Sequence, residues 1–180
     1  AMLAAETRVY APWRDPEFLS AFGGRKEMID YCARKGLPIR ATHDKPYSTD
    51  ANLLGLTHEA GLLESLGTPA LFITPGMGVH PQQAPDANEP FSLHFQEGVP
   101  ISVNGQAVSP VEAFRGANQV GGRNGVGIGL HTVENRFVGI KSRGVYEAPG
   151  MELLGRCYEY LLQLILDRRA RRIFNDASAF

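Results

Sequence analysis

The chain has little cysteine, no surplus charge of either sign and no long apolar run. Its only cysteines, Cys32 and Cys157, lie far apart and match neither metal-ligand nor redox-pair spacing. Neither has a local basic neighbour that argues for a nucleophile, and so little cysteine points to a reducing, cytoplasmic setting. Lys and Arg total 18 against 19 Asp and Glu, a net charge of -1, so nothing drives binding to a phosphate backbone and nucleic acid is not an expected partner. No stretch is long and apolar enough to span a bilayer, and no basic segment precedes an apolar one at the start, so neither membrane nor leader peptide is expected. The histidines at 43, 58, 80, 94 and 131 offer no pair at ligand spacing, and no metal site is expected.

What is present suits one globular domain: 180 residues, 43% hydrophobic and 21% charged. Residues 1–7, opening Ala1-Met2, are expected to be a cloning scar or linker, and residues 8–180 the domain. Thr7 to Pro12 reads as a short strand. Asp15 and Pro16 open a helix as N-cap and first helical residue. A second helix is expected from about Arg25 to Lys35, stopped by Gly36. The polar stretch Thr42 to Asp50 reads as an ordered loop, Leu62 to Leu66 as a short helix, Ala70 to Thr74 as a buried strand, and proline-rich 75–90 as a surface connection. Phe91 to Gln96 alternates as a half-buried strand does. Asn104-Gly105 between Ile101-Ser102-Val103 and Gln106-Ala107-Val108 predicts a hairpin with a type I′ turn. Ser109-Pro110 starts a helix expected to end before Gly121-Gly122, and a last helix is expected from about Met151 to Arg172. Helices and strands without regular alternation imply an α+β fold with a mixed, largely antiparallel sheet and flanking helices.

Two segments are chemically dense. Tyr47-Ser48-Thr49-Asp50, Asn52 and Thr57-His58-Glu59 gather hydroxyls, carboxylates and an amide, a set able to frame a small polar ligand. The same residues also read as helix caps and a polar turn. Glu134-Asn135-Arg136 and Lys141 to Glu147 interleave charges with Val133, Phe137, Val138 and Ile140, so several charges sit beside a core strand. They either hold a ligand or form ion pairs such as Glu134 with Arg136 or Arg143. The glycine run 122–129 lacks the Gly-Lys-Ser/Thr ending of a phosphate loop and reads as a tight irregular turn.

Ala11-Pro12-Trp13-Arg14, Tyr47 to Leu53, Thr57-His58-Glu59-Ala60, Val133 to Arg136 and the ten residues Lys141 to Gly150 resemble argininosuccinate synthase, in order and at similar spacing. The likeness runs from about Arg8 to Arg172 and implies that family's C-terminal catalytic and multimerisation domain, without the N-terminal ATP-binding domain. The resemblance implies a ligase of arginine biosynthesis that joins L-citrulline and L-aspartate, with ATP cleaved to AMP and pyrophosphate. ATP, with Mg, would be bound mainly by the N-terminal domain, whose phosphate loop and Gly-Asn-Asp aspartate segment have no counterpart here. Carried over by position, Ser48, Thr57, Glu134 and Tyr146 look like the family's citrulline contacts, with Asp50 and Glu59 as further ones. None need be catalytic in the sense of a nucleophile. The implied partners are L-citrulline, a nucleotide-binding domain in cis or trans, and further copies of the chain, a tetramer in the family. The family's chain also continues past the position of Phe180 into an oligomerisation arm. One stretch departs from the family: Gly127-Ile128-Gly129-Leu130-His131-Thr132 is one residue longer than the usual approach to Glu-Asn-Arg and lacks its acidic residue. The expected function is therefore the citrulline-binding half of this ligase, inactive alone. A non-catalytic binding or assembly module, or an adenylating ligase for another ureido compound, are the alternatives.

Overall fold

Proline, glycine and short polar side chains set most element boundaries in the computed structural model, which describes residues 6–39, 47–135, 137 and 139–179. The chain divides into two units, Ala1–Pro46 and Tyr47–Phe180. In the first, helix α1 (Pro16–Ala21) has Asp15 as N-cap, its carboxylate accepting from the Glu17 amide at 2.9 Å. Helix α2 (Arg25–Lys35) ends on Gly36, whose φ of 64° suits a residue without Cβ. Trp13, Phe18, Phe22 and Tyr31 form a chain of ring contacts with centroids 4.9–5.5 Å apart. The strand expected over residues 7–12 is absent: residues 7–11 pair with no described strand, and Pro12 opens a 3-10 turn over Pro12–Arg14.

The second unit holds two sheets. The larger consists of β1 (Ser48–Ala51), β2 (Leu56–Glu59), β6 (Ile128–Asn135) and β7 (Lys141–Glu147), in the order β1-β2-β7-β6. The smaller contains β3 (Leu93–Gln96), β4 (Val99–Val103) and β5 (Gln106–Ala107). Helices α3 (Pro110–Arg123), α4 (Pro149–Ile165) and α5 (Arg168–Ser178) complete it. The α+β reading holds, and every described strand pair is antiparallel. The hairpin turn is as expected, with φ of 48° at Asn104 and 81° at Gly105. The helix expected at Leu62 to Leu66 is a 3-10 turn over Gly61–Glu64.

Four boundaries differ. Ser48 to Asp50, expected as the end of a loop, lie in strand β1, because their backbone finds a partner in β2; residues 42–46 lie outside the described residues. Ala70 to Thr74 is not a strand but a 3-10 turn over Ala70–Phe72 that drops Ile73, 2% exposed, into a core with Tyr47, Leu63 and Val145. A short apolar run is equally compatible with either outcome. Helix α3 continues through Gly121-Gly122, because those two positions need contact without a side chain: a Cβ at Gly121 would lie 2.8 Å from the Pro149 carbonyl oxygen. The last helix is two, since Asp167 accepts from the amides of Arg169 and Ala170 and starts α5 as its N-cap.

Helix α3 begins in a capping box, with Ser109 and Glu112 each bonding the other's backbone amide. Ser109→Ala is expected to lower the unfolding free energy by about 1 kcal/mol in urea denaturation. Among the described residues no helix is long and apolar enough to cross a membrane.

Candidate functional site on one face of the larger sheet

Directly paired residues of an antiparallel sheet project to the same face, and every second residue along a strand returns to it. Register therefore decides which candidates can meet. Ser48 opposes Glu59, and Glu59 opposes Gly144; Asp50 opposes Thr57, and Thr57 opposes Tyr146. On the far side of β7, Glu134 opposes Ser142, two residues from Gly144. All six expected contacts, Ser48, Asp50, Thr57, Glu59, Glu134 and Tyr146, thus share one face. With strands about 4.8 Å apart, the row Asp50, Thr57, Tyr146 spans roughly 10 Å. Asp50, Glu59 and Glu134 are exposed there, while Ser48, Thr57 and Tyr146 are half-buried.

The Tyr146 hydroxyl donates to Glu134 Oε1 across the β6–β7 pair. Gly144 makes this possible, because a Cβ on it would lie 2.6 Å from the Tyr146 ring, which instead lies down over the strand. Neither Ser48 nor Thr57 caps a helix, so the capping alternative does not hold. The alternative Glu134–Arg143 ion pair does not form either: Arg143 is on the opposite face, 5% exposed, donating to the carbonyls of Leu63 and Ser65 at 3.0 and 2.9 Å. Arg136, the other candidate partner in that alternative, lies outside the described residues.

The stretch Gly127 to Thr132, expected to depart from the pattern of the resembled family, contains a β-bulge. Ile128 pairs with Glu147 but Leu130 with Tyr146, so Gly129, at φ 74°, is the extra residue. The bulge reverses the alternation: Ile128 packs into the core, while Leu130 and Thr132 join Glu134 on the candidate face. Residue-by-residue reading missed Leu130, Thr132, Ser142 and Gly144. The period of two along Lys141–Glu147 was the signal for the last two.

Behind that face lies Glu147, fully buried. Its carboxylate meets His58 Nε2 at 2.5 Å and accepts from the amides of Gly76 (2.9 and 3.0 Å) and Met77 (2.7 Å). Burial pushes this carboxyl up, but the hydrogen bonds from His58, Gly76 and Met77 outweigh it and hold it below its usual 4.5.

The glycine run has a packing role. A Cβ at Gly125 would meet Pro81 at 2.8 Å, and one at Gly127 would meet the Ala148 carbonyl at 2.8 Å. Among the described residues no three His, Cys, Asp or Glu side chains gather as metal ligands.

Residues 47–179 match the family described as Arginosuccinate synthase C-terminal domain. The chain is 48% identical over 172 residues to an argininosuccinate synthase of Rhodopirellula baltica, covering 92% of this chain and 42% of that protein. It is 40% identical over 181 residues to one from Thermotoga sp. (96% and 43%) and 42% identical over 166 residues to one from Desulfitobacterium hafniense (92% and 40%). The chain therefore spans about two fifths of the length of these relatives.

Proposed function

The chain belongs to the argininosuccinate synthase family, in which it matches the C-terminal domain, and from that premise we propose that its acid-and-hydroxyl sheet face is the citrulline-holding part of the ATP-dependent ligation of L-citrulline and L-aspartate. The observation that carries the reading is the register that sets Thr57 beside Tyr146, with Tyr146 bonded to Glu134. Exposed carboxylates at Asp50, Glu59 and Glu134 suit an α-ammonium, which forms its strongest hydrogen bonds with ionised acceptors. The hydroxyls of Ser48, Thr57 and Tyr146 both donate and accept, as a neutral ureido group requires.

The contribution of this face to catalysis is orientation, which converts an encounter between two substrates into a reaction at a fixed distance. No residue of the face acts as a nucleophile. ATP and aspartate belong to a nucleotide-binding part supplied in cis or trans, and the chain alone is inactive. Its setting is the cytoplasm and its working form a homo-oligomer. A second reading, a ligase for a less polar ureido compound, draws support from Leu130, which the bulge sets beside Tyr146.

Calorimetric titration tests both. L-citrulline is expected to bind, and Glu134→Gln to weaken binding about ten- to hundredfold through loss of a charge-assisted bond. Activity is expected only when a nucleotide-binding domain is added with ATP and aspartate. Absence of any heat or thermal shift at millimolar citrulline, with or without that domain, would overturn the proposal. Preference for an alkyl-ureido compound would favour the second reading.

A further inference from the structure

Of the residues next to Ser48, Thr57 and Tyr146, on the opposite face, the first and last bond one loop directly and the middle one reaches it through the last. Tyr47, next to Ser48, accepts at its hydroxyl from the Thr74 amide at 2.8 Å. His58, next to Thr57, bonds Glu147, and Glu147, next to Tyr146, takes the amides of Gly76 and Met77. The Tyr47 ring stands edge-on to the His58 ring with centroids 5.3 Å apart, which closes the chain of contacts. Tyr47, His58 and Glu147 are 8%, 1% and 0% exposed, so none of them can touch a ligand on the open face. The loop is itself anchored elsewhere: the Val79 amide donates to the Gly122 carbonyl of α3 at 3.0 Å.

We propose that Tyr47, His58 and Glu147, clamped on the backbone of residues 74–77, are the positioning residues of the ligand face. They fix the spacing of β1, β2 and β7 from behind, so that Ser48, Thr57 and Tyr146 present their hydroxyls at one set of distances. A hydrogen-bonded strand pair alone leaves the sheet free to twist by tens of degrees between neighbours. A buried acceptor shared by His58 and two loop amides restricts that freedom, because displacement draws these donors off a buried carboxylate. The positioning claim stands on geometry; only its consequence for citrulline rests on the function proposed above.

The test uses this chain labelled with 3-fluorotyrosine, and the Tyr146 resonance is assigned by its loss in Tyr146→Phe. In His58→Leu, which cannot donate to Glu147, the Tyr146 resonance is expected to move or broaden while the protein remains folded by circular dichroism. His58→Gln retains a donor and is expected to restore it. Tyr47→Phe deletes one hydroxyl and decides on the same signal where His58→Leu unfolds. Citrulline affinity is expected to fall about three- to tenfold in the variants that move the resonance. An unmoved Tyr146 signal in a folded variant would overturn the proposal, as a purely structural role leaves the far face unchanged. A moved signal with no citrulline binding by any variant, the parent included, would retain the positioning claim and sink only the substrate.

Discussion

Replacing Glu147 with alanine is expected to lower the unfolding free energy by about 3–5 kcal/mol, a large share of what a domain of this size has. Three donors, the buried His58 Nε2 and the part-buried amides of Gly76 and Met77, would lose their acceptor, the fully buried carboxylate. Urea unfolding at neutral pH measures the loss. Glu147→Gln, which keeps one acceptor oxygen, is expected to cost less. The two variants also differ from the parent in pH response. The Glu147 carboxyl is held below 4.5 in the folded chain, so its contribution is complete above that value and is lost as pH falls through the depressed one. Subtracting the Glu147→Gln stability profile from the parent's isolates this acid limb from other lowered carboxyls such as Glu89, held at about 2 by Arg123 and Asn124 on the surface. A difference profile flat down to pH 3 (roughly one unit below the usual Glu value) would show that Glu147 does not bear charge as described.

The second large effect contrasts two glycines of one helix. A Cβ at Gly122 would lie 2.0 Å from the Met77 carbonyl oxygen, and one at Gly78 would lie 2.2 Å from the Gly122 carbonyl oxygen. Both obstacles are backbone, which cannot swing aside as a side chain can. Gly122→Ala is therefore expected to cost about 3 kcal/mol or more, by pushing residues 76–79 away from α3 and drawing the Gly76 and Met77 amides off Glu147. Gly116, on the same helix, has open space where its Cβ would be, and Gly116→Ala is expected to stabilise by about 0.5–1 kcal/mol through helix propensity and unfolded-state entropy. Thermal unfolding of the two variants side by side gives opposite signs if the packing is as described. Because Gly122 and Glu147 act on the same loop, the double variant Gly122→Ala/Glu147→Ala should cost less than the sum of the singles.

Local chemistry was legible in the residues themselves. Asp15 before Pro16, Gly36 after Lys35, Asn104-Gly105 and Ser109-Pro110 each solve a backbone problem within four residues, so their outcome does not depend on what packs nearby. The failures were long-range. Ile73 reads as a strand residue, but the core under Tyr47, Leu63 and Val145 needed one apolar side chain delivered by a turn. Gly121-Gly122 reads as a helix stop, yet the pair lies inside α3 because Met77, Gly78 and Pro149 approach there. Asp167 reads as a mid-helix residue until its carboxylate is seen capping α5.

For the candidate site the division is similar. The sequence by itself determined the chemistry: hydroxyls at 48, 57 and 146, carboxylates at 50, 59 and 134, and their likeness to one enzyme family. Tertiary structure alone decided that these six share a face while Tyr47, His58, Arg143 and Glu147, drawn from the same motifs, turn to the opposite one. The physical reason is strand register. Side chains alternate with a period of two, so the side on which a residue acts depends on its partner strand. The bulge at Gly129, which resets β6 against β7, depends on a pairing between residues far apart in the chain.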